Sequence, residues 1–463
     1  MHKEIVRSQI KLGKYAEALE LLGKWPKSNE RYFLEGTCHL HLGNYQDAEF
    51  CLRRIANKQY LSGVVDLRLG IALYGQNRLE EAINCFLPLL ANGPKDDFFE
   101  LALTQYGLAS MELGLTSHWL TLLRRLCGDC RNKSKLIYLR GLAKLSLGDY
   151  SQGWNDHEKR LEIRSMGLNL SSLKWPIWCG ETTGNESHLL LLCEQGLGDV
   201  IHFIRFAPLL RQYFQQLSIQ VPLSLIRLME VAGYFDNVFS SSDKEIGKIS
   251  HCLPIMSIPH LLQLDKPSSF LPATYLRLSA LELNQWQKDL QKSYKKPLIA
   301  INWQGNRQAE TPYSTHRERS FSITQLEQIS NLLKVRLISV QTGHDHQAIH
   351  NSLLSEALVP FQKTLDSANP DFLTTAQVLM SCDLLITNDT SLVHLGGSMG
   401  LPTWVILKCY PSWQWGDNGK SSCWYRSVRC FRQHRPFSWD GVMEEVNQAL
   451  YIYLQGKIFG ADT

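Results

Sequence analysis

The chain has no apolar run long enough to cross a bilayer, and its start, Met1-His2-Lys3-Glu4-Ile5, carries no apolar signal region. The default expectation from both is a cytoplasmic protein. No Gly-x-x-x-x-Gly-Lys-Ser/Thr occurs, which disfavours a P-loop nucleotidase, and no Asp-x-Asp, which removes a metal-chelating carboxylate pair of that spacing. The Cys-x-x-Cys at Cys127-Gly128-Asp129-Cys130 has no second pair, so zinc is not expected. Charge of one sign is scarce too. A net charge of +4 over 463 residues is too weak to argue for nucleic acid or a membrane surface. The twelve cysteines are scattered, and Cys38, Cys51 and Cys85 fall inside apolar helical patterns. They read as reduced thiols packed in cores.

What is present first is a repeat. Leu12-Gly13-Lys14-Tyr15, Leu42-Gly43-Asn44-Tyr45, Gln76-Asn77-Arg78-Leu79, Leu113-Gly114-Leu115-Thr116 and Leu147-Gly148-Asp149-Tyr150 are aligned copies, stepping by 30, 34, 37 and 34 positions. A second glycine precedes the turn by seven residues in four of them: Gly36, Gly70, Gly107 and Gly141. A small residue follows the aromatic slot at Ala18, Ala48, Ala82 and Gly153, whereas the fourth copy has Trp119 there. Side chains seven apart share a helix face, and small ones let antiparallel helices approach. The turn glycine or asparagine is expected to adopt the left-handed conformation that ends a helix. This pattern resembles tetratricopeptide repeats over residues 1–160, a stacked solenoid with a concave binding surface.

Residues 161–187, with Trp175-Pro176-Ile177-Trp178, read as a connector strapped onto the next domain. Beyond it, short apolar runs alternate with amphipathic stretches, the mark of parallel sheets with crossover helices. Strands are expected at Leu189–Cys193, Leu217–Val221, Leu298–Trp303, Val335–Gln341, Asp383–Thr387 and Thr403–Leu407. Helices are expected at Val200–Phe214, Ile323–Leu333, Thr375–Met380 and Leu392–Met399. A polar stretch over 282–297 reads as a surface helix and linker. The expected organisation is therefore α/β with an all-α N-terminal domain: a helical-repeat domain over 1–160, then Rossmann-like lobes over 188–290 and 297–463. Two such lobes turn the carboxyl ends of their strands toward a shared cleft.

Three constellations carry chemistry. Glu194-Gln195-Gly196-Leu197-Gly198-Asp199 follows a strand and opens a helix, so Gln195, Gly196 and Gly198 form a candidate anion or acceptor loop. A dinucleotide fingerprint would need glycine at Ile201, which disfavours a nicotinamide enzyme. Asp199 reads either as a general base or as a helix N-cap. Thr387-Asn388-Asp389-Thr390-Ser391 ends a strand and opens a helix with two hydroxyls and free N–H groups, a seat for a diphosphate. His394 lies one turn deeper on the face of Thr390; it either serves the leaving group or a sugar hydroxyl, or bonds a neighbouring carbonyl while Asp389 and Thr390 cap. The third group is Asn302, Trp303, Gln304, Gly305 and Asn306, with Arg317, Arg319, Ser320 and, at the end of the next strand, Gln341. Its amides and guanidinium groups can hold a nucleoside diphosphate. Among the aromatics after Trp404, most read as core, with Trp413 or Trp415 candidates for the cleft.

Trp178-Cys179-Gly180-Glu181, Cys193–Asp199, Asp383–Gly400, Cys423-Trp424-Tyr425 and Trp439-Asp440-Gly441-Val442 together resemble the bacterial tetratricopeptide-repeat glycosyltransferases. Their catalytic part is similar to the ADP-heptose heptosyltransferases. The resemblance implies a GT-B fold and a metal-independent, inverting transfer from a nucleotide-diphosphate sugar to an acceptor hydroxyl, with no cofactor. It places the general base on Asp199 and donor binding on Asp389, Thr390, Ser391 and His394. Arg319 stands in for the phosphate-holding lysine of heptosyltransferases, which is not evident near Trp303. The repeats would present a glycan or protein acceptor. A catalytically inactive scaffold and a protein O-glycosyltransferase acting on peptides are the alternatives.

Overall fold

The computed structural model describes residues 2–56, 61–92, 97–126, 133–163, 166, 168, 170–184, 187–243, 246–265, 274–278, 296–306, 310, 318–343, 346–359, 371–416 and 419–459. Arg317, Cys127–Cys130 and most of the polar stretch over 282–297 lie outside them. The chain forms two compact units, one over Met1–Ala143 and one over Lys144–Glu310 and Glu318–Thr463.

The first unit is built of antiparallel helices, beginning His2–Lys11, Tyr15–Gly23, Asn29–His41 and Tyr45–Arg53 and continuing to Thr116–Leu126. The turn residues Gly13, Gly43, Asn77 and Gly114 have φ of 75°, 78°, 65° and 73°. Each releases the chain from one helix into the next through the left-handed region, as expected from the repeat. The glycines seven residues earlier do something more specific than allow close approach. A Cβ on Gly36 would stand 2.8 Å from Leu52 Cγ, one on Gly70 2.4 Å from Phe86 Cε1, and one on Gly107 2.4 Å from Trp119 Cε2. Each glycine leaves a socket for a large side chain of the following helix. In the fourth copy the small residue is replaced by Trp119, yet that side chain is fully buried, lying on Gly107. Cys38 and Cys51 are buried in this packing, which pushes both thiols up to about 11.

The fifth turn, at Gly148 with φ 83°, leads to Tyr150–His157, a helix of the second unit. Two parallel sheets come after it. The first holds β1 (His188–Leu192), β2 (Gln216–Val221), β3 (Asn237–Ser240) and β4 (His251–Pro254) in the order β3-β2-β1-β4. The second holds β5 (Leu298–Ile301), β6 (Arg336–Ser339), β7 (Leu384–Asn388), β8 (Thr403–Leu407) and β9 (Val428–Arg432) in the order β6-β5-β7-β8-β9. Every pairing between these strands is parallel. β1, β7 and β8 are buried along their whole length, which explains why they read as unbroken apolar runs. The six expected strands are present within one or two residues. The three that sequence reading missed are short or charged: β3 and β4 have four residues each, and β9 carries Arg429 and Arg432 at the sheet edge. Trp178 N–H donates to Cys252 O at 3.0 Å, so Pro176–Trp178 runs alongside β4.

Two expected helices are broken. Leu197–Phe203 is α-helical, but Ile204–Gln212 tightens to a 3₁₀ helix, because Pro208 lacks an N–H and its ring would meet the carbonyl of Ile204. Ile323–Glu327 likewise passes to 3₁₀ geometry at Ser330–Lys334.

The Gly107–Trp119 socket is testable. Gly107→Ala is expected to lower stability by about 1–3 kcal/mol, because the new methyl group overlaps the indole. Adding Trp119→Leu should recover part of that loss in urea unfolding. Additive losses from the two changes would show that the pair does not share one space.

Candidate active site

In each sheet the strand order reverses at one point, and ligands of such folds gather beyond the carboxyl ends of the strands there. In the first sheet that point lies between β1 and β4, and the turn after β1 is Gln195–Asp199. In the second it lies between β5 and β7, whose following loops hold Asn302–Asn306 and Asp389–Ser391.

The structure brings these turns together. A Cβ on Gly198 would stand 3.0 Å from His394 Cδ2 and 3.2 Å from Ser391 Cα. The first turn of the Leu197–Phe203 helix thus lies against the opening of the Ser391–Met399 helix, and Asp199, the next residue, stands beside it. Asp199 is not an N-cap. The N-cap is Gly196, and Asp199 sits three residues on, accepting the Gly196 backbone N–H at 3.1 Å. Its other oxygen accepts from Gln414 Nε2 at 3.4 Å. Gln195 takes a left-handed φ of 59° to make the turn, and Glu194 before it is fixed by a buried fork. Arg160 donates to both Glu194 oxygens, at 2.9 and 2.8 Å, and to Ser257 Oγ at 2.8 Å.

Asp199 is half-buried. Burial lifts its carboxyl to about 6, against the Gly196 N–H that favours the ionised form. Asp389 and Glu194 add to the rise, and Arg319 opposes it. Asp389 is displaced the other way. Burial would raise it, but Arg319, the Ser412 hydroxyl at 2.7 Å and His394 together hold it below the usual carboxylate range. Asp389 thereby anchors the Ser412–Trp415 turn.

Thr390 is the N-cap of the Ser391–Met399 helix, in extended conformation, and its side chain caps nothing. Its hydroxyl lies 3.4 Å from that of Thr387. His394 does not bond a carbonyl either: its Nδ1 lies 2.8 Å from Tyr425 Oη, and its ring stacks on Trp415 at 5.5 Å. Burial lowers His394 to about 4, with Asp389 opposing and Arg205 and Arg319 reinforcing, so the ring is neutral at pH 7. Trp413 and Trp415 are both buried, so neither ring is open in the crevice.

The third constellation is partly spent on its own loop. The Trp303 ring lies wholly in the core of the second sheet. Gln341 Oε1 accepts the backbone N–H groups of Trp303 and Gln304 at 3.2 and 2.9 Å, and its amide donates to Thr342 O. Asn302 donates to Asn388 Oδ1 at 2.8 Å, tying β5 to β7. Gln304 and Arg319 remain half-buried and Asn306 exposed, and Arg319 lies over Gly305 and 3.5 Å from Glu310. Gly396-Gly397-Ser398-Met399-Gly400 matches the Gly-x-Ser-x-Gly spacing, but Ser398 is buried within a helix and donates to Leu395 O. It is no strand-to-helix nucleophile turn.

Sequence reading missed Gln414, Ser412, Tyr425, His202 and Arg205. Only the aromatic cluster around Trp413 and Trp424 pointed toward them.

The chain is similar to glycosyltransferases of known structure. It aligns with Escherichia coli ADP-heptose LPS heptosyltransferase II at 13% identity, over 57% of this chain and 99% of that one, with a TM-score of 0.41. A glycosyl transferase family 9 protein from Veillonella parvula aligns at 14% identity over 57% and 97%, with a TM-score of 0.39. An O-GlcNAc transferase mutant from Thermobaculum terrenum aligns at 10% identity over 94% and 95%, with a TM-score of 0.30. No family model and no curated protein matches the chain.

The raised carboxyl of Asp199 has a consequence for stability. An unfolded aspartate titrates near about 4, so on this group's account stability falls as pH rises from there through about 6. Asp199→Asn, which retains an acceptor for Gly196, should stabilise the protein at pH 7.5 by on the order of 1–3 kcal/mol. Thermal unfolding at pH 5 and 7.5 checks this: the gain should shrink at the lower pH, and a gain equal at both would contradict the assignment.

Proposed function

We propose that this protein is a glycosyltransferase that moves a sugar from a nucleotide-diphosphate donor to an acceptor hydroxyl, with inversion and without a metal. The observation that carries the reading is the seating of the turn that bears Asp199 against the uncapped start of the Ser391–Met399 helix, with Gly198 on Ser391 and the Asp199 carboxylate accepting from Gln414. A carboxylate lifted to about 6 is mostly ionised at neutral pH yet basic enough to take a proton from an attacking hydroxyl. The Gly196 N–H orients the carboxylate, and Gln414 makes a weaker contact with its other oxygen.

The leaving diphosphate gathers negative charge as the glycosidic bond breaks. It meets the free N–H groups at Thr390 and Ser391, the positive end of the helix dipole and the Arg319 guanidinium. These supply the countercharge otherwise given by a cation. His394 enters this scheme as a neutral hydrogen-bond donor and not as an acid, since burial keeps its ring uncharged. Asn306, Gln304 and Arg319 line the donor side, whereas Trp303, Gln341 and Asp389 support it from behind. Gln195, Gly196 and Gly198 shape the acceptor side. The repeats over residues 1–160 present the acceptor, a glycan or a protein.

With a panel of UDP- and ADP-sugars, one donor is expected to stabilise the protein by a few kcal/mol at saturation and to be turned over. The rate should rise with pH through about 6, where Asp199 ionises. Asp199→Asn should bind that donor normally and transfer roughly 10²–10⁴ times more slowly. Donor binding with near-normal transfer in Asp199→Asn would overturn the base assignment. No binding across the panel would favour a scaffold.

A further inference from the structure

Behind the crevice lies a polar chain that the transfer scheme leaves unexplained. Tyr425 Oη sits 2.8 Å from His394 Nδ1 and 2.8 Å from His202 Nδ1, so one hydroxyl joins an imidazole from each lobe. Gly397, three residues after His394 on the same helix, makes room: a Cβ there would stand 2.5 Å from Tyr425 Cδ1. Arg205 packs over the Tyr425 ring at 4.4 Å. Burial of the site, with the Arg205 charge reinforcing it, keeps both imidazoles neutral.

Counting hydrogens then limits the arrangement. Tyr425 has one proton to give. Its neighbour Tyr275, at 3.4 Å, gives its own proton to Ile201 O at 2.9 Å. The contact to Tyr275 Oη is the longest of the three, so Tyr425 spends its proton on one of the two Nδ1 atoms at 2.8 Å and accepts a proton from the other. The two histidines are therefore opposite tautomers. His202 Nε2 decides between the two orders: it is buried and, among the described residues, has no hydrogen-bond partner. Were the His202 proton on Nε2, a buried N–H would stand without an acceptor, near the Arg205 cation. With the proton on Nδ1, only a weak lone pair is left unused. His202 thus donates to Tyr425, and Tyr425 donates to His394.

We propose that His202 and Tyr425 form a hydrogen-ordered chain that fixes His394 as the tautomer with its proton on Nε2, presenting a neutral N–H to an anion at the Ser391–Met399 helix. His202 and Tyr425 are positioning residues, acting through His394. The tautomer stands on the hydrogen count alone; the anion rests on the transferase reading.

Imidazole ¹⁵N labelling and long-range ¹H–¹⁵N correlation of the intact protein at neutral pH test the chain directly. His394 should show its proton on Nε2 and His202 on Nδ1. The reverse assignment, or averaging at both rings, overturns the proposal without any variant having to fold. Among variants, His202→Asn places an amide N–H near the position of Nδ1 and should keep the His394 tautomer. His202→Leu should leave His394 a mixture; an unchanged tautomer there would count against the chain. Inorganic pyrophosphate, as the probe anion, should shift the His394 Nε2–H signal. Its affinity should fall roughly tenfold in His202→Leu, with recovery in His202→Asn. The expected tautomers with a signal unmoved by pyrophosphate would overturn the anion contact while leaving the chain intact.

Discussion

The contact that organises the candidate site is the approach of one helix opening to another at Gly198 and Ser391. Both helices follow central strands of parallel sheets, and both begin at the point where strand order reverses. Any side chain at residue 198 would meet Ser391 Cα and the His394 ring within about van der Waals contact or closer. Absence of that side chain lets a carboxylate from one sheet and a row of N–H groups from the other share a crevice.

Such a crevice places charges so that they work against their own solvation. Asp199 and Asp389 are displaced in opposite directions because their other neighbours differ. Asp389 has Ser412 and the field of Arg319, whereas Asp199 has one backbone N–H, the weak contact with Gln414 and the nearby carboxylates. Two like groups in one cleft thereby come to different protonation behaviour, the arrangement by which acid and base roles are usually divided. Behind them, rings of His202, Trp413, Trp424 and Tyr425 exclude water and hold the imidazoles neutral. Dryness there is what makes the direction of each hydrogen bond matter, since no solvent can repair a proton placed on the wrong nitrogen.

Much of the architecture was legible because it repeats or runs long. The five turns announced themselves by spacing, and the central strands by apolar runs without alternation. The edges were not legible: β9 places Arg429 and Arg432 on a strand that a hydropathy pattern does not pick out. Trp119 looked like a defect in its repeat, and only the socket at Gly107 explains it. At the candidate site, reading along the chain found the turn at Asp199 and the helix at Thr390. It placed Trp303 and Gln341 among ligand contacts, whereas the indole belongs to the core and the amide ties its own loop.

By itself the sequence determined the local events: where helices end at glycine, and which strands must be buried on both faces. Those follow from backbone sterics and from unbroken apolar runs among near neighbours. Tertiary structure alone decided that Asp199 stands N3 and not N-cap, that its carboxyl is lifted, and that Tyr425 joins His202 to His394 across 223 and 31 residues. Proton affinity and hydrogen-bond direction depend on what surrounds a group in space, and groups so far apart along the chain become neighbours only when the two sheets are packed.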